Sequence, residues 1–370
     1  MIRSAERARR DRLDQFPLNC WYVAAAAEAV TRTPIRRRIA DMPIVLYRAE
    51  SGVAVALIDK CAHRGYPLSR GHVDGDNIVD GYHGFTYGPD GRCIRVPSQS
   101  HVPFGAEVRA FPVVELNGFV WLWPGSANAS DGRTPPELPW LEDPSWRTVA
   151  GEDEVEANFL LLHENFADIT HVPVVAPDIA PAVLLDSPPP LEVKLNETTV
   201  THVRSFPRSP LAPWHAGLLG VSPEEQHVQT EEGSFVGPGL WIDSFDVRVA
   251  DSESVPAGLY HLRFVQAVTP RAVGSTGLIW RLSRNFAVND TRVSQQLEAT
   301  FRSYYTRVKD VLEILQSSND RDPLEREVHV SADAAALEVR RIIRAMLIEQ
   351  GETPLGSIAT RTRARVSRDD

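Results

Sequence analysis

No stretch of this sequence is apolar enough to cross a bilayer. Apolar runs such as residues 23–27 and 159–162 fall far short of the ~20 residues a spanning helix needs. Positive charge is in deficit: 39 Lys and Arg face 49 Asp and Glu, a net −10. Such a surface disfavours nucleic acid, whose binding depends on basic groups that displace phosphate counterions, and a small organic molecule is the expected partner. Cysteine is scarce too. Cys20, Cys61 and Cys93 are too few and too scattered for a disulfide framework, so at least one is expected to serve another purpose. The sequence has no glycine-rich dinucleotide fingerprint and no phosphate-binding loop, which argues against a nicotinamide or nucleotide enzyme. Internal repeats are absent as well. The start of the chain, residues 3–12, is polar and arginine-rich, without the apolar segment of a secretory leader, and this predicts a cytoplasmic protein.

What is present suits a globular chain: 43% hydrophobic and 24% charged residues over a length of 370. Single cores stop growing near ~250–300 residues, so two domains are expected. From residue 20 to about 125, short apolar runs at 42–47, 53–58, 78–82, 111–116 and 119–123 are separated by turn pairs such as Ser51-Gly52 and Asn117-Gly118, the pattern of a small all-β domain. A Gly, Ser and Pro-rich linker at 125–139 follows. Beyond Trp140 the pattern is mixed. A helix is expected over 157–168, a Pro-rich passage over 172–190, and strands at 198–206, 259–267 and 277–282. Residues 207–239 read as a long functional or mobile loop. Apolar residues at helical spacing in 293–315 and 334–348 predict two closing helices, so the second domain is α+β.

Cys61-Ala62-His63 is followed, sixteen residues on, by Asp80-Gly81-Tyr82-His83-Gly84-Phe85. A Rieske cluster binds one iron through two thiolates and the other through two imidazoles, each Cys-x-His or Cys-x-x-His turn giving one ligand of each kind. Two histidines in a β domain are by themselves ordinary structural residues. The turn, its spacing, Pro67 and the Tyr-His-Gly-aromatic string together make the motif specific.

On these residues the chain resembles the oxygenase components of Rieske non-haem iron oxygenases, especially the vanillate and dicamba O-demethylase type. The likeness extends through Asn19-Cys20-Trp21-Tyr22-Val23-Ala24, Val120-Trp121-Leu122-Trp123-Pro124-Gly125, residues 164–171 and Ser283-Arg284-Asn285-Phe286. It implies a Rieske 2Fe-2S-type domain with an N-terminal extension over 1–130, a helix-grip, START-like α+β catalytic-type domain over 140–355 and a disordered basic tail over 356–370. It also implies cluster positions at Cys61, His63, Asp80 and His83. Asp80 stands where the family has its second cysteine, and a carboxylate is a harder ligand than a thiolate. Cys20 and Cys93 read as small buried hydrophobes rather than replacements.

The family holds its mononuclear Fe(II) in a 2-His-1-carboxylate triad with open positions for dioxygen. Asp168-Ile169-Thr170-His171 resembles the first half of that signature, with His171 at the iron and Asp168 at the position that bridges electron transfer between subunits. Ala176 takes the second histidine's place and Val308 the carboxylate's, so the iron is expected to be lost. Asp178 and Asp310 are the carboxylates a small register slip would bring round. Glu164 and Asn165 read as surface or packing residues, and His171 as a core histidine bonded to Asp168.

Three readings follow. In the first, the chain is a catalytically impaired paralogue that joins homologous oxygenase subunits in a trimer or hexamer through the family's head-to-tail surface. In the second it is an active mono-oxygenase or O-demethylase of a small aromatic or apolar substrate, with atypical iron ligands and a separate reductase or ferredoxin. In the third it is a non-redox small-molecule binding protein. The long second domain argues against a free-standing Rieske electron carrier.

Overall fold

The computed structural model describes residues 16–181, 183–186, 188–249, 256–321 and 327–352. The arginine-rich start and the tail at 356–370 lie outside them. No helix among the described residues is long and apolar enough to cross a membrane.

The N-terminal part is all-β. It comprises β1 (Tyr22–Ala26), β2 (Ile35–Ile39), β3 (Met42–Arg48), β4 (Ala54–Ile58), β5 (His72–Asp74), β6 (Asn77–Val79), β7 (Thr86–Tyr87), β8 (Cys93–Arg95), β9 (Val113–Leu116) and β10 (Phe119–Leu122). They form three small sheets, ordered β2-β3-β4, β5-β6-β7-β8 and β1-β10-β9. Leu57, Leu68, Ile78, Phe85 and Tyr87 pack into a core of their own beneath the last turns of this region. Strand β6 ends at Val79, short of the run expected to reach residue 82, because Asp80 opens a turn.

The second part is built on antiparallel strands β11 (Arg147–Val155), β12 (Glu192–Leu195), β13 (Val200–Ser205), β14 (Ser209–Pro210), β15 (Gln226–Gly237), β16 (Leu240–Val249), β17 (Gly258–Ala272) and β18 (Ser275–Arg284). Their order is β11-β18-β17-β16-β15-β13-β12, with β14 paired to β15. The helices are α1 (Phe159–Ala167), α2 (Val172–Val175), α3 (Val183–Asp186), α4 (Pro213–Leu219), α5 (Thr291–Arg321) and α6 (Ala334–Glu352). Helix α5 buries Leu297, Phe301, Tyr305, Val308 and Leu312, a stripe at 3- and 4-residue spacing that lies on the sheet. There Phe301 meets Phe264 of β17 at 4.5 Å and Tyr305 meets Trp280 of β18 at 5.5 Å.

Residues 207–239 are not the loop expected from sequence. They hold α4, which starts with Pro213 in its first turn and stops at the left-handed Gly220, and the 12-residue strand β15. The strand escaped notice because the set it buries, His227, Gln229, Glu231, Gly233 and Phe235, is mostly polar. An apolar alternation is the signal that marks a half-buried strand.

The two parts meet at the β2–β3 turn. Ala40 and Asp41 both have positive φ, the conformation of a tight two-residue hairpin. Their amides donate to the carbonyls of Pro270 and Arg271 at 2.7 and 3.0 Å. The Thr269 hydroxyl donates to the Val23 carbonyl at 2.7 Å. At the far end Gln350 of α6 binds both the Leu18 amide and the Phe16 carbonyl, tying the last helix to the first described residues.

Candidate functional site: two cluster loops and a buried pocket

The residues of the first constellation lie on two neighbouring turns. Two similar turns face each other at the tip of the N-terminal part. In one, the Cys61 amide donates to Tyr66 O at 2.8 Å and the Gly65 amide to Cys61 O at 2.9 Å. In the other, the Asp80 amide donates to Phe85 O at 2.8 Å and the Gly84 amide to Asp80 O at 3.1 Å. Each closes on a glycine with φ near +70°, a conformation that residues with a Cβ rarely adopt. Buried Asp59 anchors the first turn by accepting from the Ser69 amide and hydroxyl.

Cys61 and Asp80 lie at the inner ends of these turns, buried, while His63 and His83 lie at the exposed outer ends, ring centroids 4.5 Å apart. The Cys61 sulfur is 3.2 Å from the Tyr87 hydroxyl. Asp80 is 2% exposed; its Oδ2 accepts from the His83 amide at 2.8 Å, and its Oδ1 has no partner among the described residues.

The second constellation comes together only in part. His171 sits on the turn after α1, held by Asp168, whose carboxylate accepts from the Thr170 amide and hydroxyl, both at 2.9 Å. His171 bonds Asp168, as expected from the sequence, with Nδ1 donating to the Asp168 carbonyl at 2.6 Å. With Nδ1–H donating, Nε2 is left as acceptor, and the Tyr304 hydroxyl donates to it at 3.0 Å. Burial lowers the His171 pKa and raises that of Tyr304, so both are neutral near pH 7. Asn165 also reaches Nε2, at 3.4 Å, and lines the same cavity; it is more than the packing residue expected. Glu164 pairs with Arg340.

Among the described residues, neither of the other two expected positions offers a ligand to His171. Ala176 is 0% and Val308 4% exposed, and Val308 packs in the main apolar core. Asp178 gives both oxygens to Arg307, which holds its carboxyl below the usual range. Asp310 is exposed on the outer side of α5. Neither alternative carboxylate reaches the site.

The cavity beside His171 has aromatic walls, including Phe206, Trp214, Phe264 and Phe301, and polar groups from Gln229, Glu231, Asp243 and Tyr304. It is the sort of concave, mostly apolar pocket that binds small molecules. Its acids were not picked out from the sequence. Glu231 is fully buried and its carboxyl is pushed up to about 8, first by burial and then by Asp243. Burial likewise raises Asp243 to about 7 and lowers nearby His202 to about 4. The one available signal was the acid inside the apolar string Leu240-Trp241-Ile242-Asp243.

Residues 155–349 match the vanillate O-demethylase oxygenase C-terminal domain family, and residues 20–112 the Rieske 2Fe-2S domain. The chain is 26% identical to the vanillate O-demethylase oxygenase subunit of a Pseudomonas species, over 94% of this chain and 99% of that one. It is 28% identical to the oxygenase component of dicamba O-demethylase from Stenotrophomonas maltophilia, over 89% and 97%. The crystal structure of dicamba monooxygenase bound to 3,6-dichlorosalicylic acid superposes with a TM-score of 0.82 at 27% identity, over 91% of this chain and 99% of that one.

Proposed function

Because the chain belongs to the vanillate O-demethylase oxygenase family, whose C-terminal domain it carries at residues 155–349, we propose that it is a catalytically impaired oxygenase subunit that keeps the family's pocket and assembles with an active homologous subunit. One observation carries this reading: the Nε2 lone pair of His171, the group that would bind iron, is occupied by the Tyr304 proton. Ala176 and Val308, at the positions expected for the other two ligands, carry no donor group. Loss of a direct ligand costs metal affinity far more than the 10–100-fold of a changed supporting residue.

Cys61, His63 and His83 would hold a 2Fe-2S cluster, which supplies one-electron transfer, with Asp80 as the unusual fourth donor. A cluster ligated this way is expected to be substoichiometric and spectroscopically abnormal. The pocket's aromatic wall suits a small aromatic or apolar molecule, in keeping with relatives named for vanillate and dicamba. The assembly would use the family's head-to-tail surface, which a relative can enter without chemistry of its own.

Iron and acid-labile sulfide analysis tests the reading, together with gel filtration of the chain mixed with an active homologous oxygenase. Little iron bound through His171 and a mixed oligomer are expected. Stoichiometric iron lost in His171→Ala, or substrate turnover by the chain alone, would overturn it.

A further inference from the structure

Four polar atoms without a hydrogen bond lie together in the sheet: both ring nitrogens of His202 and both carboxylate oxygens of Glu231. Both side chains are 0% exposed. The register explains the cluster. Gly233 of β15 is paired with His202 of β13 on one side and Asp243 of β16 on the other. Glu231, two residues before Gly233, shares its face of the strand. At Gly233 a Cβ would lie 2.2 Å from His202 Nε2, so the glycine makes the hollow that the imidazole fills.

These groups do not satisfy one another. His202 Nδ1 and Glu231 Oε1 are 4.0 Å apart, beyond hydrogen-bond reach. The Phe166 carbonyl is near enough to favour a proton on His202, but it is not in bonding geometry. Asp243 accepts from Trp241 Nε1 at 2.7 Å and Gln266 Nε2 at 2.5 Å, the outer hydrogen bonds that commonly orient a ligating carboxylate. Arg204 is the basic group beside these acids, and it donates to Pro189 O at 2.5 Å. A dication bound between Glu231 and Asp243 would take the place of the protons that burial favours there.

We propose that His202, Glu231 and Asp243 form a binding site for a divalent transition metal, separate from the family's iron position at His171. One nitrogen and one oxygen from each carboxylate lie within 4.8 Å of one another. Metal–ligand bonds of ~2.1 Å put ligands roughly 3–3.5 Å apart, so small side-chain rotations close the set. One imidazole and two carboxylates suit Mn(II), Fe(II) or Zn(II). Glu231 and Asp243 line the pocket, which leaves the remaining coordination positions facing a bound molecule. The site does not depend on whether the chain oxidises anything.

The test is Mn(II) titration of the full chain by calorimetry and electron paramagnetic resonance, a metal chosen because it avoids the Cys61 thiol. One Mn(II) per chain is expected, with nitrogen coupling from one imidazole. Glu231→Gln and Asp243→Asn should each weaken binding at least tenfold, His202→Gln should abolish the nitrogen coupling, and His171→Ala should leave binding unchanged. Making both carboxylate variants, with folding checked by circular dichroism, covers failure of either to fold. Absence of Mn(II) binding by the unaltered chain would overturn the proposal. So would binding that persists in a folded Glu231→Gln variant or depends on His171.

Discussion

The Tyr304 hydroxyl donates to His171 Nε2 at 3.0 Å, and removing it has a measurable cost. Tyr304→Phe keeps the ring but leaves His171 Nε2 without its closest donor. A buried hydrogen bond is worth about 1 kcal/mol, so urea unfolding should show a loss of that order. A second residue, His163, gives the molecule an acid limit. It is buried between Phe235 and Trp241, donates to Pro238 O at 2.9 Å, and burial lowers its pKa to about 4. The unfolded chain, with an ordinary histidine pKa near ~6.5, binds the extra proton first. Its contribution is therefore complete above that pH and is lost as the pH falls towards 4. At ~1.4 kcal/mol per unit, His163 alone removes roughly 2–3 kcal/mol between pH 7 and 4.5. His215, lowered to about 3, acts in the same direction. Unfolding free energies of His163→Gln, which removes the titration and retains a donor for Pro238, should be correspondingly less steep between those pH values. The cluster residues were legible because Cys61-x-His63 and Asp80-x-x-His83 are local strings. His202, Glu231 and Asp243 were not, since only the pairing of three strands brings them together.

Among the elements, α5 places Val308, the expected carboxylate position, in the core. Val308 lies one turn beyond Tyr304 on the helix face that carries Tyr305 and Leu312. Restoring a carboxylate there by Val308→Asp buries a charge with no partner, and a loss on the order of 3 kcal/mol is expected in denaturant titration. Ala176→His alone should also destabilise, because a 0% exposed alanine leaves no room for an imidazole. Helix α5 was readable from sequence because its buried set is apolar at helical period. Strand β15 was unreadable for the opposite reason: its inward face carries the polar residues His227, Gln229 and Glu231. Helix α4 carried legible punctuation, Pro213 at its start and Gly220 at its end, inside a stretch whose Gly and Pro content suggested a loop.

For the whole molecule, the outward placement of His63 and His83 matters most. The β2–β3 turn is bonded to the β17–β18 turn, so the cluster loops and the pocket belong to one packed body. The imidazole ends of the cluster loops are exposed while His171 is half-buried in the other part. An exposed donor edge is what delivery of electrons to a neighbouring subunit, expected from the resemblance, would require. A relay of this kind requires a competent cluster in one chain and a competent iron in the next. Asp80→Cys supplies the fourth cluster ligand and should restore Rieske-like absorption and paramagnetic resonance, but it provides no acceptor. Ala176→His with Val308→Asp supplies an iron site and leaves the donor defective. Oxygen uptake with a ferredoxin reductase system and methoxylated aromatic acids should therefore stay at background for either repair alone. It should rise with substrate only when the three substitutions are combined. Substrate-dependent uptake by the Asp80→Cys variant alone would overturn the reading that the chain lacks a competent iron site.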